Sequence, residues 1–237
     1  PPQASAEVYR NNGIDQPMQV IENGINTDSL HNAIRQERLS PPPPDSRLRL
    51  AVLGNIAPSK GQLAFCEACI DPQLSNQLEL HLYGSCPATY HGDPRPQEAL
   101  LRLCHEHPHT LRLHGAYQRS DLMAIFERSD LVVMPSLWQE VYGLIAREAL
   151  CYGLPLIITN AGGLRELSGR SRVLTLNHLA PSGWSDHLKQ WLLHGPARDW
   201  VAYRRLRIPP PDNTVRSADQ CANELLFTYQ RLLKAQR

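Results

Sequence analysis

The sequence has no surplus of either charge. Lysine and arginine number 24 against 23 acidic residues in 237, a formal net charge of +1. A nucleic-acid-binding surface needs a basic excess, so that class is excluded. The one local bias, eight basic against four acidic residues from Arg198 to Arg237, reads as a solvated face. Long apolar runs are missing too: GLPLII (Gly153–Ile158) is far too short for a bilayer. No charged-then-apolar leader opens the chain, which begins PPQASAEVYR without Met and is read as a fragment or trimmed form. Internal repeats are absent. Neither G-x-G-x-x-G nor G-x-x-x-x-G-K-[ST] follows the first predicted strand, which counts against a dinucleotide fingerprint and against a P-loop nucleotidase.

What is present describes a folded chain. A hydrophobic content of 42% and a charged content of 20% are ordinary for a globular protein. The length allows one large or two small domains with a proper core. Six cysteines need weighing. Cys66 and Cys69 form a C-x-x-C, and Cys104 heads CHEHPH with His105, His107 and His109, so a zinc reading exists. The better reading places Cys66 and Cys69 in an amphipathic helical stretch, GQLAFCEACI, as small core residues. Unpaired thiols in this number suit a reducing compartment, so the expected location is cytoplasmic.

Residues 1–45 read as an irregular lead-in, with one short strand in QVIENGI ending at Asn23-Gly24 and a polyproline-like stretch at Ser40–Asp45. From 46 to 195 short apolar strands alternate with helices. Strands are expected at Arg47–Asn55, Leu78–Ser85, Leu111–Gly115, Asp130–Ser136, Leu154–Thr159 and Ser171–Leu176. Helices are expected near Lys60–Ile70, Pro96–His107 and Ser120–Arg128, and after Gly143. The alternation predicts an α/β fold, a Rossmann-like parallel sheet with helices on both faces. The remainder, 196–237, reads as a helical tail of the same domain, broken at Ile208–Asp212.

An open parallel sheet binds its ligand at the carboxyl ends of its strands. Gly54-Asn55, Gly84-Ser85, Gly115-Ala116-Tyr117, Pro135-Ser136 and Asn160-Ala161-Gly162-Gly163 follow five strands in turn. One glycine at a strand end says nothing, but several at the same edge make a cleft floor where a ligand can approach backbone. Lys60, at a helix start in GNIAPSKGQ, could hold a phosphate there. In MPSLWQEVYGLIAREALCYGLPLIITNAGG, Glu140 and Glu148 stand eight apart around Gly143. A helix starting near Gly143 offers unpaired amides to a diphosphate. Eight residues of helix span about 12 Å, comparable to the reach from one sugar across a pyrophosphate to another. The pair therefore suggests a nucleotide sugar, both carboxylates facing an open cleft. Glu98 and Glu106 share the spacing without a site around them, so spacing alone does not decide.

PSLWQEVYGLIAREALCYGLPLIITNAGGLREL resembles the signature of the family-4 retaining glycosyltransferases (glycosyl transferases group 1). VIENGIN, LGNIAPSKGQLAFCEA, LYGSCP and LRLHGAYQRSDLMAIFERSDLVVMPS extend it over Gln19 to Leu167 in family order. The resemblance implies the C-terminal, donor-binding half of a GT-B enzyme, whose two Rossmann-like domains face across a cleft. It implies that Glu140 contacts the donor hexose and Glu148 the ribose, that amides around Tyr142, Gly143 and Leu144 take the phosphates, and that Lys60 binds pyrophosphate. Gly54, Asn55, Gly84, Ala116 and Tyr117 complete the donor-binding set, with Glu140 and Lys60 in the catalytic role. Asn55 stands where the family usually has Arg, leaving phosphate charge to Lys60 and the helix mouth, and Tyr142-Gly143 replaces the usual Phe-Gly.

The expected activity is transfer of a sugar, with retained configuration, from a UDP-, GDP- or ADP-sugar to a glycan or lipid-linked acceptor. No metal is required, and no Asp-x-Asp is present. The acceptor is expected to bind through an N-terminal domain that this sequence lacks, so the chain alone is expected to be inactive. Peripheral association of the full-length enzyme with a membrane is compatible with this expectation. The alternatives are a non-catalytic nucleotide-sugar-binding module of the same fold and, less favoured, a sugar-nucleotide epimerase.

Overall fold

The computed structural model describes residues 3–26, 46–195 and 215–235. Six parallel strands form one sheet: β1 (Leu48–Leu53), β2 (Leu78–Tyr83), β3 (Leu111–Gly115), β4 (Leu131–Met134), β5 (Leu156–Thr159) and β6 (Val173–Leu176). Their order is β3-β2-β1-β4-β5-β6. The first strand pairs with β2 from Leu48↔Leu78 to Leu53↔Tyr83, and on its other edge with β4 through Leu50↔Leu131 to Val52↔Val133. The helices of this unit are α2 (Gln62–Cys69), α3 (Pro72–Ser75), α4 (Arg95–Glu106), α5 (Leu122–Arg128), α6 (Leu144–Cys151) and α7 (Trp184–Lys189). This is the Rossmann-like sheet that the alternation predicts.

Every residue of β4 and β5 is buried, as continuous apolar strands covered on both faces must be. On one face Leu50, Val52, Leu80 and Leu82 pack under Phe65, Leu100 and Trp184. On the other, Ala51, Leu53, Val132 and Ile158 pack under Phe126, Ala146 and Leu150. Cys66 and Cys69 belong to the first cluster with no exposure, and burial pushes both thiols well above their usual range. They are core residues, as the amphipathic reading has them. Among the described residues, no three His, Cys, Asp or Glu side chains converge as a metal set.

Within the lead-in, the described residues 3–26 are not wholly irregular. Gln3–Asn11 is a helix, α1, with Ala4 and Ala6 buried. The segment carries no long apolar period; its order comes from packing on the turns at Gly162–Leu167. QVIENGI forms no strand: Ile25 makes an isolated parallel bridge to Ser217. That bridge brings the chain beside α8 (Ala218–Ala235), the last helix. The stretches Ser40–Asp45 and Ile208–Asp212 lie outside the described residues.

Candidate donor site

Between β1 and β4 the strand order reverses, and the loops leaving these two neighbours diverge into a crevice. After β1, Gly54 adopts φ +126°, and a Cβ at Gly84 would lie 1.9 Å from the Gly54 carbonyl oxygen. The floor is therefore backbone against backbone. Asn55 is exposed, and its carbonyl accepts a hydrogen bond from Nε2 of the buried Gln62 at 3.0 Å. Lys60 ends a 3-10 turn, Pro58–Lys60, one residue before the left-handed Gly61 that precedes α2. A Cβ at Gly61 would meet the Pro135 carbonyl oxygen at 2.0 Å, so this crossing requires glycine. The Ser59 carbonyl accepts from the amides of Leu137 and Trp138 at 2.9 and 3.0 Å, which stitches the β1 and β4 loops together.

That stitching places Lys60 and Glu140, eighty residues apart, in an ion pair. Glu140 is held from behind: its carbonyl accepts the Gly163 amide at 2.6 Å. The chain then turns through Gly143, at φ +74°, into α6. No side chain caps this helix, so its first turn keeps amides without a side-chain acceptor and a positive dipole end. The structure thus brings together Lys60 and Glu140, with the helix start at Gly143 and Leu144 three and four residues further along the chain. The Tyr142 side chain is turned away: its hydroxyl donates to the Asn23 carbonyl at 2.7 Å.

Glu148 differs from the expectation. The helix begins only at Leu144, so the two carboxylates are not separated by eight helical residues. Its side chain is 3% exposed rather than open to the cleft, because it lies in the second turn of α6, under Arg119. Arg119, 71% exposed, donates to Oε1 at 2.6 Å. Oε2 has no hydrogen-bond partner among the described residues. Tyr117 closes this corner; burial first, and the Glu148 carboxylate second, push its phenol above the usual range. Ala116 is exposed beside it.

Sequence reasoning passed over Arg119, Arg147 and Glu166. Arg147 is 4% exposed within α6, hydrogen-bonded to the Tyr142 carbonyl and 3.3 Å from Glu166. An arginine at mid-helix ordinarily reaches solvent, so nothing in the local pattern marked this one as buried. Burial works against its charge, with Tyr142 and Glu166 opposing that effect.

The fold and crevice define a Rossmann-like α/β ligand-binding unit, and comparison with known proteins gives its family. The chain belongs to the glycosyl transferases group 1 family, whose sequence model matches residues 47–194. It is 45% identical over 71 residues to D-inositol 3-phosphate glycosyltransferase of Paenarthrobacter aurescens, a stretch covering 29% of this chain and 17% of that protein. Among solved structures it resembles sucrose-phosphate synthase from Thermosynechococcus elongatus, with TM-score 0.71 and 21% identity, covering 97% of this chain and 57% of that one. It also resembles Anabaena Alr3699/HepE in complex with UDP and glucose, with TM-score 0.69 and 19% identity, covering 96% and 61%. The chain thus spans little more than half the length of these structures.

Proposed function

We propose that this chain is the donor-binding unit of a retaining glycosyltransferase that uses a nucleotide sugar. The observation that carries the reading is Glu148: a buried carboxylate with one unpaired oxygen, one and a half turns behind an uncapped helix mouth. A buried acceptor left unmade costs about 1–3 kcal/mol, and the vicinal hydroxyls of a ribose would supply the missing donors. Diphosphate then falls at the first-turn amides and Lys60, and the transferred sugar at Glu140. The family membership and a structural neighbour described as a complex with UDP and glucose support the same assignment.

In the reaction, the bond from the anomeric carbon to the β-phosphate oxygen breaks, and the acceptor oxygen bonds to that carbon on the same face. The acceptor proton passes to the departing phosphate oxygen. Lys60 and the α6 amides stabilise the charge that grows on the leaving diphosphate; no resident metal is called for. The acceptor, a glycan or lipid-linked sugar, is assigned to a further domain, and the full-length enzyme to the cytoplasm or the inner face of a membrane. Among the described residues, no helix is long and apolar enough to cross a membrane.

The test is calorimetric titration of the 237-residue chain with UDP, GDP, ADP and their nucleosides. One diphosphate is expected to bind, more tightly than its nucleoside, without sugar transfer by this chain alone. Absence of binding to all three would refute the reading.

A further inference from the structure

We infer that Arg147 is a positioning residue that aims the diphosphate mouth and ties it to the N-terminal helix α1. The inference rests on the donor-binding reading above. A guanidinium this deeply buried is tolerated only where its donors are satisfied. Two of its contacts fall on one residue: it donates to the Tyr142 carbonyl, and its Cζ lies 3.7 Å from the centroid of the Tyr142 ring. Tyr142 immediately precedes the left-handed Gly143. In a planar trans peptide the carbonyl and the following N–H point in opposite directions. By gripping the Tyr142 carbonyl, Arg147 directs the Gly143 N–H away from its own pocket.

A further contact leads to the N-terminal segment. Glu166 Oε2 pairs with Arg147 at 3.3 Å, and Glu166 Oε1 accepts the Ala4 amide of α1 at 3.0 Å. The Tyr142 hydroxyl, donating to Asn23, ties the same turn to the chain that follows α1. A cavity of about 70 Å³ adjoins the junction, its lining including Glu22, Tyr142, Arg147, Glu166, Arg170 and Arg216. A displacement of α1 therefore passes through Glu166 and Arg147 to the turn that presents the phosphate-facing amides.

Arg147→Lys keeps the charge but cannot hold the carbonyl, the ring and Glu166 together. Glu166→Gln keeps one acceptor for Ala4 while weakening the pairing. Calorimetry is run with whichever of UDP, GDP and ADP the native chain binds, and with its nucleoside, alongside amide hydrogen exchange at residues 141–145. In Arg147→Lys, diphosphate affinity is expected to fall about tenfold, the scale of a lost charge-assisted bond, while nucleoside affinity stays within about twofold. Exchange is expected to quicken at residues 142–145 and not in β4. Glu166→Gln is expected to move both readouts the same way, by about threefold in affinity. Equal loss of diphosphate and nucleoside, or faster exchange throughout the sheet, would show a merely structural arginine and overturn the inference. Unchanged diphosphate affinity in both variants would overturn it too, with the donor reading intact. If the native chain binds none of the three, the donor reading fails and this inference with it.

Discussion

Lys60 and Glu140 neutralise each other across the gap between the β1 and β4 loops, so neither acts as an isolated charge on an arriving donor. A bare diphosphate has no sugar to reach Glu140, and must draw the Lys60 ammonium away from it. On the donor-binding reading proposed above, Lys60→Ala removes a charge-assisted phosphate contact, worth about 1.5–3 kcal/mol. It is expected to weaken the nucleoside diphosphate while leaving the nucleoside alone. Glu140→Gln acts in the opposite sense on the bare diphosphate, because it releases Lys60 from its partner. That variant is expected to bind the diphosphate as well as or better than the native chain, and the nucleotide sugar less well. Titration of both variants with diphosphate and its sugar derivative checks this; a Glu140→Gln that loses both ligands equally would contradict the assignment. Glu148 offers no such freedom, since its buried carboxylate already accepts from Arg119 on one oxygen.

Among the elements, the turns at Gly162–Leu167 that follow β5 set where the Glu140 loop sits. A Cβ at Gly162 would meet the Glu140 carbonyl oxygen at 2.3 Å and its amide nitrogen at 2.5 Å, and Gly162 also has φ +56°. Gly169 shares the left-handed backbone at φ +79° but has nothing within 4 Å of a Cβ. Gly169→Ala should therefore cost only the conformational penalty, about 1–2 kcal/mol. Gly162→Ala should cost more and also displace Glu140, with a loss of nucleotide-sugar affinity that Gly169→Ala does not show. Melting curves and titration of the pair separate backbone strain from the clash. The six strands and helices α2, α4, α5 and α6 were legible in the sequence because apolar runs and glycine breaks report burial residue by residue, whereas the four-residue α3 (Pro72–Ser75) is too short to carry a period. Lys60, Glu140 and Gly143 were legible through the motif. Helix α1 was not, because its order comes from contact with residues 162–167, more than 150 positions away. The Arg119 and Arg147 contacts were hidden for the same reason: a charged residue on a helix or loop looks solvated until its partner is folded beside it.

At the scale of the whole sheet, the described residues leave one face of the β2–β3 edge partly exposed, and that face carries a polar ladder. Tyr83 and His114 stack at 4.4 Å between centroids, His81 stacks on His114 at 5.1 Å, and His81 Nδ1 lies 2.9 Å from His114 Nε2. Burial lowers the pKa of both histidines below 6.5; for His81, Glu79 raises it while His114 and Arg112 lower it, and for His114, Arg112 lowers it further. Folding therefore favours the neutral rings. Below about pH 6.5 the unfolded chain binds more protons than the folded one, so stability rises with pH in that window. The stabilisation is complete above the unfolded value and is lost as pH falls through the folded values. The melting temperature of the native chain is expected to decline from neutral pH towards about pH 5. Replacing both residues, His81→Gln with His114→Gln, should flatten that decline while leaving diphosphate affinity at neutral pH unchanged, since Lys60 and Glu140 sit between β1 and β4 rather than on this face. Parallel declines in the native and doubly substituted chains would show that other groups, not this ladder, carry the acid sensitivity.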